Sequence, residues 1–287
     1  MIVKKAVITA AAESQRRLPL QTVVDRDGAN RTVLSLLTNE IRSTGIDDVC
    51  VVIAPGDEAV YRDAVPDSHG VQFVTQPEPL GYGHALLCAK RFVGDGAFLH
   101  LVGDHVYLTR NGASAATRLV EIAAKESCCI SAVQATREHL IPAFGVVGGQ
   151  PHSGHDQLLR VDTVIEKPTP TVAEQRLIVP GLRSGMYLAF FGMHVLTSSV
   201  LTIIEELMES EPGKRVTLSD ALAVLAKRDR YLALQVDSYR YDLGPAYGLL
   251  TAQLALALAG QDREEVLSML VGLLATQETG SGEPRHA

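Results

Sequence analysis

The chain of 287 residues has no excess of positive charge: 26 lysines and arginines face 33 aspartates and glutamates, a formal net charge of −7. General binding to nucleic acid or to an anionic membrane wants a basic face, so the charge argues against both as functions. A small anionic ligand is not excluded, because a few local cations suffice for it. Long apolar runs are missing too. No stretch reaches the ~20 residues that cross a bilayer, and the most apolar late segment, Ala246 to Leu274, is broken by GQDREE and reads as two packed helices. The start, MIVKKAVITA, is too short and strand-like for a signal peptide, so a soluble, cytoplasmic protein is expected. Cysteine is scarce: the four residues at 50, 88, 128 and 129 show no C-x-x-C spacing. Buried reduced thiols are therefore expected, rather than a zinc site or a disulfide framework.

Glycine is absent where a phosphate-binding chain usually turns on it. AVITAAAESQRRLPLQ begins as an apolar strand and ends in three alanines, followed by Glu13, Ser14 and Gln15. Phosphate cradling depends on backbone N–H groups, which Ala and Ser also supply provided φ stays negative. A position needing positive φ would cost an Ala about 1 kcal/mol. Arg16 and Arg17 add positive charge beside this loop, whereas Glu13 adds an anion that must turn outward or pair with an arginine.

Short β-branched runs alternate with helical patterns through the first half: VKKAVITA, DDVCVVIAP, VQFVTQ, AFLHLVGDH and CISAVQA are strands separated by helices. Such alternation predicts an α/β protein with a mostly parallel central sheet and helices on both faces. Ligands then bind beyond the carboxyl ends of the strands, where AAAESQRR, TQPEPLGYGHA and GDH fall. From Phe144 the pattern changes. FGVVGGQ and LLRVDTVIEKP predict a β-hairpin, a β-rich insertion walling one side of the cleft. SGMYLAFFGMHVL is a further strand, helices follow at 196–209 and 217–227, and YLALQVDS is the last strand before YDLG. No low-complexity linker and no internal repeat divides the chain, so a single domain is expected.

Several polar residues sit at strand ends. Asp104, after Gly103, can hold Mg²⁺ against nucleotide phosphates or can cap a turn. Asp242 of YDLG stands at another strand end and could share the same metal. Glu166 and Lys167 of VIEKP offer a carboxylate for hydroxyls beside an ammonium for phosphate, a pair also common on surfaces. In QPEPLGYGHA the amide of Gln76 can pair with a nucleobase edge, while Gly81 and Gly83 let the backbone approach a flat ligand. His84 fits helix-start packing better than a base.

Taken in order, RxLP, LGYGHALLCA, GDH, FGVV, VIEKP, SGMY and YDLG make the chain from Val3 to about Ala257 resemble the sugar-1-phosphate nucleotidylyltransferases, particularly the bacterial UTP–glucose-1-phosphate uridylyltransferases. The resemblance implies a Rossmann-like nucleotidyltransferase fold. It also implies the Mg²⁺-dependent joining of an NTP and a sugar 1-phosphate with release of pyrophosphate. Residues 1–275 would form one domain: a nucleotide-binding half to about 135, a sugar-phosphate half from about 136 to 245, and C-terminal helices at 246–275. Residues 276–287 would be a disordered tail.

By the same resemblance, Ala11 and Ala12 of the loop, with Gln76, Gly81 and Gly83, would meet the nucleotide. Arg16 would meet its β- and γ-phosphates, and Asp104 and Asp242 would hold Mg²⁺. Gly145, Glu166, Gly185 and Tyr187 would bind the sugar, and Lys167 its phosphate. The family's first loop reads G-x-G-T-R, where this chain has Ala12, Ser14 and Gln15. A lysine that follows in the family has no clear counterpart, with Arg26 and Arg31 as candidates to replace it. A working but divergent loop is the preferred reading, because the polar half of the site is intact. Another NTP, another sugar or cyclitol phosphate, and a non-catalytic sugar-nucleotide binder stay open. The family tendency also makes a homo-oligomer expected.

Overall fold

The computed structural model describes residues 1–65, 67–110 and 112–278. Its first half contains strands β1 (Val3–Thr9), β2 (Thr22–Val24) and β3 (Asn30–Thr32), helix α1 (Val33–Arg42), β4 (Asp48–Ile53) and α2 (Glu58–Asp63). Next come β5 (Val71–Thr75), α3 (Tyr82–Cys88), α4 (Lys90–Val93), β6 (Ala97–Val102), β7 (His105–Thr109), α5 (Ala115–Glu126) and β8 (Cys129–Arg137). The second half comprises β9 (Gly145–Pro151), β10 (Leu158–Glu166), α6 (Pro170–Arg176), β11 (Met186–Thr197), α7 (Ser198–Ser210) and α8 (Leu218–Arg228). It closes with β12 (Tyr231–Gln235), β13 (Ser238–Asp242), α9 (Gly248–Leu258) and α10 (Arg263–Glu278). Helix α10 thus runs beyond residue 275. The rest of the expected disordered tail, 279–287, lies outside the described residues. No helix among the described residues is long and apolar enough to cross a membrane.

Nine strands form one sheet in the order β5-β4-β1-β6-β11-β8-β12-β10-β9. The expectation of a mostly parallel sheet needs correcting. β5, β4, β1 and β6 run parallel, as do β12 and β8, but β11 is antiparallel to both β6 and β8. Nor is the second half an insertion beside the sheet. β9 pairs with β10 and also returns to β11, which closes β11-β8-β12-β10-β9 into a five-stranded ring. Local composition reads a strand but not its direction, and β11 follows β10 with only the short helix α6 between them.

Glycines permit the closure. A Cβ at Gly149 would stand 2.0 Å from the Arg160 carbonyl oxygen, so only a bare backbone fits where β9 meets β10. At Gly192, φ +89°, the β11–β8 register shifts between Phe190 and His194. That irregularity bends the strand from the open sheet into the ring.

Helices cover both faces, as the alternating pattern predicts. On one face Val33, Leu34, Leu37 and Ile41 of α1, Leu119 of α5 and Leu256 of α9 pack with Ile8 and Val51. On the other, Leu86 of α3, Ile204 of α7 and Leu222 of α8 pack with Val7 and Val52. All four cysteines are free thiols; Cys50, Cys128 and Cys129 are buried.

Two histidines break the apolar sheet. His100 of β6 lies opposite His194 of β11, with ring centroids 5.7 Å apart. His194 Nδ1 meets Ser131 Oγ at 2.6 Å, and His100 Nε2 meets Thr9 Oγ1 and Tyr82 Oη at 3.2 and 3.3 Å. Burial pushes His194 down to about 3 and His100 well below its ordinary value, the latter with help from His194. A depressed histidine contributes stability above its unfolded value, and that stability is lost as pH falls toward the folded value. The window here opens near pH 6.5. At pH 5 the loss from His194 alone is about 2 kcal/mol. His194→Gln, which keeps a partner for Ser131, is expected to flatten stability against urea between pH 6.5 and 5 by about that amount. An unchanged slope would place the acid sensitivity elsewhere.

Candidate active site

A cleft of about 720 Å³ opens at the carboxyl ends of β1, β5, β6, β10 and β13. It gathers Ala10–Gln15, Gln76, Gly81, Asp104, His105, Glu166, Lys167, Arg215 and Asp242. The loop after β1, Gln76 and Asp104 meet there because β1, β5 and β6 share one direction and end at the same sheet edge. Glu166 comes from β10 of the ring and Asp242 from the separate β7–β13 ladder.

The loop after β1 is a tight turn in which Gln15 N and Arg16 N donate to the Ala12 carbonyl at 2.9 and 2.7 Å. The amides of Ala11, Ala12, Glu13 and Ser14 meet no acceptor among the described residues. Neither Ala12 nor Ser14 has positive φ, so the missing glycines cost this backbone nothing. Tyr61 Oη braces the loop from below, donating to Arg16 O at 2.6 Å and to Ala10 O at 3.3 Å. Gly103 completes the base. Its amide donates to Thr9 O at 2.9 Å, and a Cβ there would stand 2.8 Å from that same oxygen.

Two carboxylates face each other across the cleft floor. β13 pairs antiparallel with β7, setting Asp242 opposite His105 and thereby beside Asp104. One oxygen from each aspartate and a ring nitrogen of His105 lie within 4.8 Å of one another. Burial, then the charge of Asp242, pushes Asp104 up to about 6. Gly244 N donates to Asp242 Oδ1 at 2.8 Å and fixes that side chain. Below this group Arg240 stacks on the Phe144 ring and donates to Phe190 O. Burial, with Arg240 nearby, holds His105 neutral, its pKa well below the ordinary value. Half-buried, mutually repelling carboxylates beside a neutral imidazole suit a divalent cation.

At the far end Glu166 accepts a 2.5 Å hydrogen bond from Ser219 Oγ. Lys167 follows with φ +48°, one of two non-glycine residues with positive φ among the described residues. Its amide donates to Phe144 O at 3.0 Å, which holds the chain in that conformation. Backbone strain at a cleft residue fits a functional position. At the opposite end Gln76 Nε2 contacts Gly81 O and His84 Nδ1, both at 3.1 Å. His84 also meets Glu78 O, so it braces the loop, as helix-start packing predicts. The carbonyl oxygen of Gln76 has no partner among the described residues and is available to a ligand in the cleft.

Other expected residues do not line the cleft. Arg16 turns to Asp57, 3.5 Å away. Arg31 pairs with Asp25 and Arg26 donates to Ala259 O; both border a separate cavity of about 680 Å³. Gly83 gives room to another backbone segment, since a Cβ there would stand 2.8 Å from Val216 O. Gly145 gives room to Ser219 Oγ, 2.5 Å from such a Cβ, and so serves Glu166 indirectly. Tyr187 is buried in a third core with Ile141 and Leu177. Gly185 turns the chain at φ +75° and accepts from Glu138 N. Sequence reading missed Arg215, His105 and Arg240. Only Arg215 carried a signal, a basic GKR run just before the capping residue Thr217.

A family model for nucleotidyl transferases matches residues 21–258. The chain belongs to the nucleotidyl transferase family. It is 24% identical to the UTP–glucose-1-phosphate uridylyltransferase YngB of Bacillus subtilis, covering 95% of this chain and 94% of that one. With the UTP–glucose-1-phosphate uridylyltransferase of Streptococcus pneumoniae it shares 26%, covering 94% and 96%. In fold it is similar to a UDP-glucose pyrophosphorylase from Acinetobacter baumannii, with TM-score 0.78 and 24% identity over 95% of this chain and all of the other. A UDP-glucose pyrophosphorylase solved with UDP-glucose gives TM-score 0.72 at 21% identity, covering 88% and 98%.

Within this nucleotidyl transferase fold Asp104 trades stability for charge. With its folded value raised above 3.8, its contribution is full below about pH 4 and is lost as pH rises through about 6. At neutral pH the cost without a cation is about 3 kcal/mol. Asp104→Asn is therefore expected to raise the melting temperature of the metal-free protein at pH 7.5 and to remove stabilisation by Mg²⁺. A variant that melts lower without metal would show that Asp104 is structural.

Proposed function

We propose that the chain transfers a uridylyl group from UTP to glucose 1-phosphate, releasing pyrophosphate. The observation that carries this reading is the meeting, in one cleft, of a carboxylate pair, a Glu-Lys pair and a loop with four unengaged amides. Attack by a phosphate oxygen of the sugar phosphate on the α-phosphorus forms one P–O bond. The bond to the bridging oxygen of the β-phosphate breaks. The nucleophile is already an anion, so no general base is required, and positioning with charge neutralisation supplies the catalysis.

Lys167 holds the attacking phosphate as a point charge, and Glu166, fixed by Ser219, accepts sugar hydroxyls. The amides of residues 11–14 and the Arg215 guanidinium hold the β- and γ-phosphates, taking the part expected of Arg16. Gln76 offers its carbonyl oxygen to the imide N–H of uracil. Asp104 and Asp242 would hold Mg²⁺, which would supply charge neutralisation at the α-phosphate. Exposed Met269, Val271, Leu273 and Leu274 on α10 support a homo-oligomer.

The test is pyrophosphate release with Mg²⁺, glucose 1-phosphate and each of UTP, CTP, ATP, GTP and dTTP. Turnover with UTP alone is expected; turnover with another NTP reassigns the base. UDP-glucose binding without turnover would make the chain a sensor. Lys167→Gly should relieve the left-handed backbone while removing the charge. Equal or higher stability with a ~10²-fold loss of kcat/KM is the expected result.

A further inference from the structure

His105 stands in the cleft beside both aspartates, and the protein gives its ring nothing to bond. It is 8% exposed, and its Nδ1 is a buried ring nitrogen without a partner. Its Nε2 lies 4.0 Å from Asp242 Oδ2, beyond hydrogen-bonding distance. Nδ1 faces Gly192, so the nitrogen turned toward the aspartates is Nε2, and the protein gives it no hydrogen-bond partner. The ring is nonetheless held firmly. It packs edge-on to Tyr107, with centroids 6.0 Å apart. The bare backbone of Gly192 leaves room for it, since a Cβ there would stand 2.7 Å from Nδ1. Tyr107 Oη donates to Gly192 O at 3.0 Å and fixes that turn in turn.

We infer that His105 is a third ligand to the divalent cation held by Asp104 and Asp242, and that it shifts the site from Mg²⁺ toward Mn²⁺. The inference rests on the metal role given to the two aspartates above. Ligands about 2.1 Å from one ion stand roughly 3.0 Å apart when adjacent and roughly 4.2 Å apart when opposite. The 4.0 Å between His105 and Asp242 falls inside that range. The widest separation in the trio, at most 4.8 Å, closes by small side-chain rotations. Two carboxylates alone favour Mg²⁺, which prefers oxygen and gives up water reluctantly. An added imidazole raises affinity for ions further along the divalent series, of which Mn²⁺ is the first to accept this mixed set.

The test loads the full-length protein with Mn²⁺ alone and records electron spin-echo modulation and binding isotherms. Wild type should show nitrogen coupling from a directly bound imidazole. His105→Phe keeps the ring packing and removes both nitrogens. It should fold at least as stably, lose the coupling, and lose Mn²⁺ affinity roughly 10- to 100-fold. Its Mg²⁺ affinity should change less than about threefold. His105→Asn gives the same reading should the phenyl ring not be accommodated. Mn²⁺ that binds without nitrogen coupling, yet is lost in Asp104→Asn, overturns the His105 ligand while leaving the aspartate site in place. Mn²⁺ binding untouched by Asp104→Asn overturns both.

Discussion

The antiparallel pairing of β7 with β13 is the constraint on which the site depends. β7 starts one residue after Asp104, and β13 ends on Asp242. The two-stranded ladder between them sets the distance between the carboxylates. A ladder has discrete registers, and a slip by one residue would turn Asp242 to the other face. The register is in turn held by Leu243 N donating to Asp104 O at 2.9 Å. Mutual repulsion of two half-buried anions would spread a looser arrangement. Here the backbone resists it, and the repulsion adds to burial, the larger cause, in raising the proton affinity of Asp104.

The ring closure in the second half of the sheet serves the same end. β10 carries Glu166 and Lys167, and β9 places Gly145 directly opposite Glu166. Because β9 also joins β11, and β11 pairs with β6, the Glu-Lys end of the cleft shares one sheet with the strand that leads to Asp104. Asp242 is carried by the separate β7–β13 ladder. Strand-borne groups are held more precisely than loop-borne ones, which suits a reaction whose catalysis is alignment. Ser219 reaches Glu166 from α8 only because Gly145 has no side chain.

Asp104, Glu166, Lys167 and Gln76 were legible from sequence because each follows a β-run, and Asp242 because it stands in YDLG; the structure gathers all five in one cleft. Strand direction was not legible: β11 looks the same in either orientation. The glycines misled for a related reason. A missing Cβ makes room for something, and sequence does not say whether that is a ligand or a neighbour. At Gly83 it is Val216, and at Gly145 it is Ser219 and Phe190. Charge is equally ambiguous. Arg16 and Arg215 are both basic residues near turns, but buried Asp57 draws Arg16 away while Arg215 remains at the cleft. The SYRYD strand, too short to stand out, hid Arg240 and the register that matters most.

The loop without glycines follows from these same terms. Glycine is needed where φ is positive or where a ligand must approach closer than a Cβ allows. The first condition does not arise at Ala12 or Ser14. Both residues are exposed, so their short side chains have solvent to enter and leave the cleft-side amides clear. What the loop gives up in flexibility it regains in definition. Ala12 O accepts two amides, Tyr61 fastens both ends, and Gly103 closes the base. A cradle already in place has less entropy to lose when an anion arrives. Glu13 acts in the opposite direction, as a like charge beside the anion. The loop's amides therefore have to be complemented by full positive charges across the cleft, and Lys167 and Arg215 stand where they can supply them.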